Sequence, residues 1–240
     1  MMRKHILLAI QQHAAEAYPE ECCGLVVKDG RAHRYIPCKN THTKPTEYFR
    51  ISPEEYATAE SIGEIMFVVH SHPDATTQPS PTDEALCEES GLPWIIISWP
   101  EGDVRMIAPK GDAPIVGRPF VHGVWDCFGL IRDWYKQERG IELPNFERAD
   151  GWWENGGNLY IENYAAAGFV SHDSELQPGD VILMQYQAPV VNHAGVYLGD
   201  GMMLHHLYGQ SARVVPYGGI WQERTIKKLR HRDAIGIQPA

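Results

Sequence analysis

Apolar runs of membrane length are missing from this chain: none approaches the roughly 20 residues that a spanning helix requires. No CxxC pair occurs either. The five cysteines are an odd number, and Cys22 and Cys23 are adjacent. That usage argues against a disulfide framework and suits a chain made in a reducing cytoplasm. Basic clusters are scarce as well. Formal net charge is −10, and Lys and Arg gather only in KKLRHR at 227–232, which argues against a nucleic-acid or anionic-membrane binder. The expectation for that run is a solvated helix or strand edge. The opening MMRKHILLAIQQHAAEAYPEE starts basic, but its apolar run is soon broken by Gln, His and Glu. It reads as an amphipathic helix and not as a signal peptide. Internal repeats and low-complexity tracts are absent.

What is present is ordinary globular composition, with 43% hydrophobic and 22% charged residues over 240 positions. That length favours two domains, each able to bury a core. Residues 1–17 read as a helix and CCGLVVKDGRAHRYIPC as a hairpin turned by Lys28-Asp29-Gly30. Ser52 can cap a helix whose first position is Pro53, with Glu54 and Glu55 at the positive end of its dipole. IMFVVHSH reads as a strand, TDEALCEES as a short helix, PWIIISWP as a buried strand and DVRMIA as its hairpin partner. This order, α-β-β-α-β-α-β-β, fits an α/β domain over 1–108. PKGDAPIVGRPF, rich in proline and glycine, supplies a linker placed at 109–119. From 120 to 240 the texture changes. A helix can start at Asp126, a second lies around 158–167, and alternating strands with Gly-rich turns follow. Helix first and antiparallel sheet afterwards is an α+β order.

Alternate residues of a strand share a face, so His70 and His72 can present two imidazoles side by side where Pro73 ends the strand. Asp83 follows at a distance that lets the chain swing a carboxylate back. Two His, a carboxylate and an open position form a ligand set of catalytic zinc, although such donors do not select one metal by affinity alone. The chemistry further needs a base and an oxyanion donor. Glu21 is the candidate base and Ser80 the candidate donor. A bare HxH is more often a strand end with incidental histidines. The longer pattern H-x-H-x7-S-x2-D, preceded by Pro19, Glu21, Cys23 and Gly24 as P-x-E-x-C-G, resembles the JAMM (MPN+) metalloprotease family over about residues 1–108. The resemblance implies a cytidine-deaminase-like fold and one zinc ion on His70, His72 and Asp83. It also implies Glu21 as general base and Ser80 as stabiliser of the tetrahedral intermediate. Members include deubiquitinating isopeptidases. Cys22 and Cys23 read as small buried strand residues, not as ligands.

Cys127 stands in HGVWDCFGLIRDWY, a polar turn running into an amphipathic helix. A thiol at a helix N-terminus has its thiolate stabilised by the dipole. It still needs a histidine and something to orient that imidazole. His193 lies on one strand, with His205 and His206 on the next. A three-residue loop at Gly199-Asp200-Gly201 would set 205 diagonal to 193, whereas a two-residue Asp200-Gly201 turn would set His206 there. The Asp-Gly pair favours the tighter turn, so spacing leaves the orienter open. DCFGLI, LQPGDV, NHAGVYLG and MLH, in that order, resemble the NlpC/P60 family of papain-like cysteine peptidases over about 118–215. The resemblance implies Cys127 as nucleophile, His193 as base and, twelve residues on, His205 as the third polar residue. The Cys127 backbone N–H would be among the oxyanion donors. Two positions depart from the family: Phe128 replaces the usual Ser, and Ile115 stands where members that cut cell-wall peptides often carry Tyr. In GWWENGGNLY, Trp152 and Trp153 are expected to fill the interface between helix and sheet in preference to stacking on sugars.

The pairing of these two domains resembles a family of tail-tip assembly proteins of lambda-like, long-tailed bacteriophages. YFRISPE, LPW, RPFVHGVWDC, DWY, GWWENGGNLY and QPGDV carry that likeness outside the catalytic positions. It implies work in the host cytoplasm during assembly or at the virion tail tip, with phage tail-tip proteins as partners. Substrates would be a tail protein for the first domain and peptidoglycan peptides or a tail protein for the second. The negative net charge gives no help towards carboxylate-bearing murein. The alternative is a non-catalytic assembly factor with vestigial sites; the eight intact polar positions weigh against it.

Overall fold

A computed structural model describes residues 3–111, 114–149 and 151–234. Of the helix expected over 1–17, residues 1 and 2 lie outside these, as do residues 112 and 113 of the linker expected at 109–119. The chain divides into two compact units, Met1–Asp112 and Ala113–Ala240.

In the first unit, α1 (Lys4–Ala17) buries Ile6, Ile10 and Ala14, an i, i+4, i+8 stripe that faces the sheet. The hairpin β1 (Cys23–Asp29) and β2 (Ala32–Cys38) follows. α2 (Pro53–Ile62) is capped as its sequence dictates, Ser52 accepting from the Glu55 N–H with Pro53 at the first position. β3 (Glu64–Pro73), α3 (Pro81–Ser90), β4 (Trp94–Trp99) and β5 (Val104–Ile107) complete the unit. The sheet order is β2-β1-β3-β4-β5, and only β3 and β4 run parallel. Ile10, Val26, Val69 and Ile95 pack on one face under α1. Leu25, Val68, Ala59 of α2 and Cys87 of α3 pack on the other. The layering is therefore α/β, with helices on both faces. Cys22 and Cys23 alternate into these two cores and are buried, as small strand residues should be. The β3-α3-β4 crossover puts the C-terminal end of β3 beside the N-terminus of α3, the place where α/β folds set their ligands.

The second unit opens with α4 (Cys127–Arg139), whose Leu130, Ile131, Trp134 and Tyr135 are buried. The second helix, α5 (Leu159–Asn163), is shorter than the 158–167 expected. It closes because the Phe169 N–H turns back to the Tyr164 carbonyl at 3.0 Å and Phe169 enters the core. β6 (Phe169–His172), β7 (Val181–Met184), β8 (His193–Gly199), β9 (Met202–His205), β10 (Arg213–Pro216), the single turn α6 (Ile220–Glu223) and β11 (Thr225–His231) follow. Their antiparallel order is β10-β9-β8-β7-β11-β6. α4 packs on Val181, Leu183, Ala194, Val196 and Leu204. KKLRHR is not a strand edge: its first five residues lie in β11, paired on both sides, with Leu229 and His231 buried, and Arg232 follows the strand. Lys228 and Arg230 alternate with the buried Leu229 and His231 along the strand. Among the described residues no helix is long and apolar enough to cross a membrane.

Candidate functional site

Two constellations form, one in each unit. At the end of β3, His70 is fully buried and His72 partly exposed. α3 begins with a capping box: Ser80 Oγ accepts from the Asp83 N–H at 3.1 Å, and the Ser80 N–H donates to Asp83 Oδ2 at 2.7 Å. The cap fixes the Asp83 carboxylate over the strand end. His70 Nε2 lies 3.0 Å from His72 Nε2 and 3.2 Å from Asp83 Oδ1, and His72 Nε2 lies 3.4 Å from Asp83 Oδ2. His72 Nδ1 donates to the Thr76 carbonyl at 2.8 Å, which leaves the Nε2 lone pair of its neutral form pointing inward. Phe49 stacks on His70 at 4.7 Å, with the Trp94 ring edge-on at 5.5 Å.

Two imidazole nitrogens and a carboxylate converge here, a donor set that one cation can bridge. The separations approach the edge of about 3.4 Å of a tetrahedron with metal bonds of about 2.0–2.1 Å. The donor set therefore fits a divalent ion. Burial pushes Asp83 towards its neutral form, but hydrogen bonds with His70 and His72 outweigh it and hold the carboxyl well below the ordinary range. Burial lowers His70. Glu21 is buried immediately before β1, its N–H bonded to the Pro45 carbonyl at 2.8 Å and its own carbonyl to Asn40 Nδ2 at 3.1 Å. Its carboxyl is pushed up to about 7, chiefly by burial, with the nearby His72 opposing and Asp83 adding.

In the second unit Asp126 caps α4, accepting from the N–H groups of Gly123, Phe128 and Gly129 at 2.8–3.0 Å. Arg148 clamps the same carboxylate, Nε at 2.7 Å from Oδ2 and Nη2 at 3.3 Å from Oδ1. Both side chains are buried. The guanidinium also lies 5.0 Å over the Phe128 ring, which gives the departure at 128 a packing partner. Gly129 is required because a Cβ there would stand 1.8 Å from the Val124 carbonyl oxygen. Cys127, the first helical residue, opens onto a cleft of about 390 Å³ shared with Trp153, Tyr186, His193 and Tyr208. Its thiol is pushed up to about 11, first by burial and then by Asp126; Tyr160, the Ala194 N–H and Arg148 act in the opposite sense.

His193, at the start of β8, places Nε2 3.0 Å from His205 Nδ1. The turn is the tight one: Asp200 and Gly201 both have positive φ, at 50° and 71°, and connect Gly199 to Met202. A bulge between Tyr197 and Gly199 then shifts the register by one, pairing Gly195 with His205. His205, not His206, becomes the diagonal neighbour of His193. Burial lowers His193 to about 3, with His205 and His206 adding, and lowers His205 to about 4, with Arg213 and His206 adding. Both are neutral imidazoles near neutral pH. Trp221 of α6 packs on the pair, 4.6 Å from His205 and 5.9 Å from His193. No hydrogen bond joins Cys127 to His193 among the described residues; the two share the cleft wall.

His70, His72, Ser80 and Asp83 thus come together in the first unit, with Glu21 near enough to feel the charges of His72 and Asp83; in the second unit His193 meets His205, and Cys127 shares a cleft with His193. Arg148, Tyr160 and Trp221 were not anticipated; they arrive from elements 21, 33 and 94 residues beyond Cys127 with no fixed spacing to announce them. Trp152 is buried, its ring 6.2 Å from Tyr160 and 5.8 Å from Trp153, and both tryptophans line the cleft.

Residues 3–108 match prokaryotic homologs of the JAB domain, and residues 117–230 match the NlpC/P60 family. Both fold classes expected from the sequence are therefore present. Tail tip assembly protein K of Escherichia phage N15 is 50% identical over 237 residues, covering 98% of either chain. The chain belongs to the phage tail tip assembly protein K family. The family relative from Escherichia phage lambda is 42% identical over 183 residues, covering 76% of this chain and 89% of that one. The CysO-cysteine peptidase of Mycobacterium tuberculosis is 30% identical over 105 residues, covering 41% of this chain and 72% of its own.

Proposed function

We propose that this member of the family is a two-site peptidase used while the phage tail tip is built. The first unit would be a zinc-dependent (iso)peptidase that processes a tail protein. The second would be a cysteine endopeptidase acting on peptidoglycan stem peptides or on a tail protein. The observation that carries the reading is the convergence of His70, His72 and Asp83 donor atoms within 3.0–3.4 Å. Tail-tip proteins are the proposed partners, and the host cytoplasm and then the virion tail tip the proposed locations.

His70, His72 and Asp83 would hold the zinc ion, which supplies Lewis acidity and lowers the pKa of a bound water. Glu21 takes a proton from the attacking water and returns it to the leaving amine. Burial favours the protonated form of this carboxyl and so the return of the proton, whereas the charge of a bound ion would favour the carboxylate that accepts it. Ser80 Oγ already accepts from the Asp83 N–H, so its own O–H is left to donate to the tetrahedral oxyanion.

At the second site the neutral His193 accepts the Cys127 thiol proton, and Sγ attacks the scissile carbonyl carbon. The Cys127 N–H and the positive end of α4 favour the oxyanion. His193 passes its proton to the leaving amine, and water then hydrolyses the thioester. His205 Nδ1 accepts from His193 Nε2–H, which keeps the other ring nitrogen unprotonated and ready as base.

The test pairs metal content with assembly. Protein purified without added metal should carry about one zinc per chain by mass spectrometry, lost in His72→Ala. Phage bearing Asp83→Asn or Cys127→Ala should fail at tail maturation or infection. Full infectivity of both variants would establish the non-catalytic assembly reading instead.

A further inference from the structure

The residue at the position where the family resemblance leads one to expect a tyrosine, Ile115, is buried in the hydrophobic core. A different tyrosine faces the sulfur. Tyr160, on α5, holds its hydroxyl oxygen 3.0 Å from Cys127 Sγ. We propose that Tyr160 is a catalytic residue of the cysteine site, its phenol O–H donating a hydrogen bond to Cys127 Sγ as that atom becomes a thiolate. This rests on the reading of Cys127 as the nucleophile.

The geometry leaves the hydroxyl little freedom. Its ring meets Phe128 at 6.2 Å, edge to face, and Trp152 at 6.2 Å. The same ring borders the apolar cavity beneath it and the open cleft above. Only the polar tip meets the sulfur. A thiolate has no proton and can only accept, so an O–H at hydrogen-bond distance favours the charged form. The Ala194 N–H favours the thiolate in the same sense. His193, on the wall of the same cleft, receives the proton. That proton moves from Sγ to His193, while Tyr160 keeps its own: burial and the neighbouring thiol push the phenol well above its ordinary range. The other titratable groups around the sulfur are Asp126 at the helix cap, Arg148 paired to it, and His122, His193, His206, Tyr186 and Tyr208 along the cleft.

The test is the pH dependence of iodoacetamide alkylation at Cys127 in the full chain. Cys127→Ala protein gives the background from the four other cysteines, all buried. Tyr160→Phe keeps the ring and removes the donor. Its alkylation midpoint should rise by about one pH unit, and the rate at neutral pH should fall about tenfold. Its melting temperature should stay within a few degrees. Replacing Tyr160 with 3,5-difluorotyrosine strengthens the donor and should move the midpoint down. A Tyr160→Phe profile that coincides with wild type overturns the proposal. A midpoint that moves down overturns it too, because the thiol would then be the donor and the tyrosine would hold it protonated. Should Tyr160→Phe fail to fold, the fluorinated protein decides, an unmoved midpoint being the negative result. Alkylation needs no peptide substrate, so a failure to find hydrolysis is separable from the outcome for Tyr160.

Discussion

His193 Nε2 and His205 Nδ1 meet at 3.0 Å across a hairpin whose turn, taken alone, would have presented His206. The extra residue accommodated between Tyr197 and Gly199 reverses which face the next strand shows. His206 lines the cleft from beyond the end of β9 and packs against Phe120 at 5.2 Å instead.

The two histidines should therefore separate functionally. His205→Ala removes the acceptor that fixes the His193 tautomer and should lower kcat/KM of the second site by about 10²–10⁴-fold, the range for loss of a correctly held general base. His206→Ala should stay within about threefold, because its imidazole makes no bond to the dyad. Steady-state hydrolysis by both variants, once a substrate is in hand, reads the difference. Equal losses would mean that the bulge does not choose the orienter.

Removing metal should destabilise the first unit selectively. Without a cation, the Nε2 atoms of His70 and His72 lie 3.0 Å apart and are held to the Asp83 carboxylate by hydrogen bonds alone. Zinc at 100 times its Kd would add about 2.7 kcal/mol to folding, worth roughly 10 °C in Tm for a domain of this size. Chelator should lower the first melting transition of wild type by about that much, and added zinc should restore it. His72→Ala should melt low and ignore both additions. A wild-type transition that chelator leaves in place would count against a structural contribution of the ion.

Much of the first site was legible because it is local. The i, i+2 pair at 70 and 72 needs only a strand, and Asp83 needs only the Ser80 cap that its spacing declares. Cys127 at a helix start was legible for the same reason: Asp126 caps with its own side chain. The rest depends on contacts whose sequence separation carries no pattern. The bulge at Tyr197–Gly199 is invisible to alternation because Leu198 breaks no hydrophobic rule. Arg148 reaches Asp126 from a loop. The run at 227–232 looked solvated by its charges, yet β11 needs Leu229 in the core between β7 and β6.

Arg148 illustrates how far such a contact can matter. Its ion pair with Asp126 is buried on both sides, and breaking a buried pair typically costs about 3–5 kcal/mol because one charge is left without its partner. Arg148→Met should fall at the low end, since Asp126 keeps the three N–H groups of Gly123, Phe128 and Gly129. Urea denaturation of the second unit measures it. A loss under about 1 kcal/mol would show the carboxylate satisfied by the backbone alone.

Acid should weaken the second unit before any carboxylate titrates. His193 and His205 are buried as neutral rings, lowered to about 3 and about 4 chiefly by burial. In the unfolded chain each takes a proton near 6.5. Between those values the unfolded state binds more protons than the folded state, so stability falls as pH drops below about 6.5 and is level above 7. Each imidazole accounts for about 2 kcal/mol of loss between pH 7 and pH 5, a window in which ordinary carboxylates remain ionised. His205→Gln keeps a polar group of similar reach and cannot take up the proton. Its stability should decline less steeply over that window, by the share of one imidazole, while its value at pH 7 changes separately with packing. Equal slopes for wild type and His205→Gln would mean that His205 accepts a proton in the folded state as readily as in the unfolded one. Burial would then not be what keeps His205 neutral through this window.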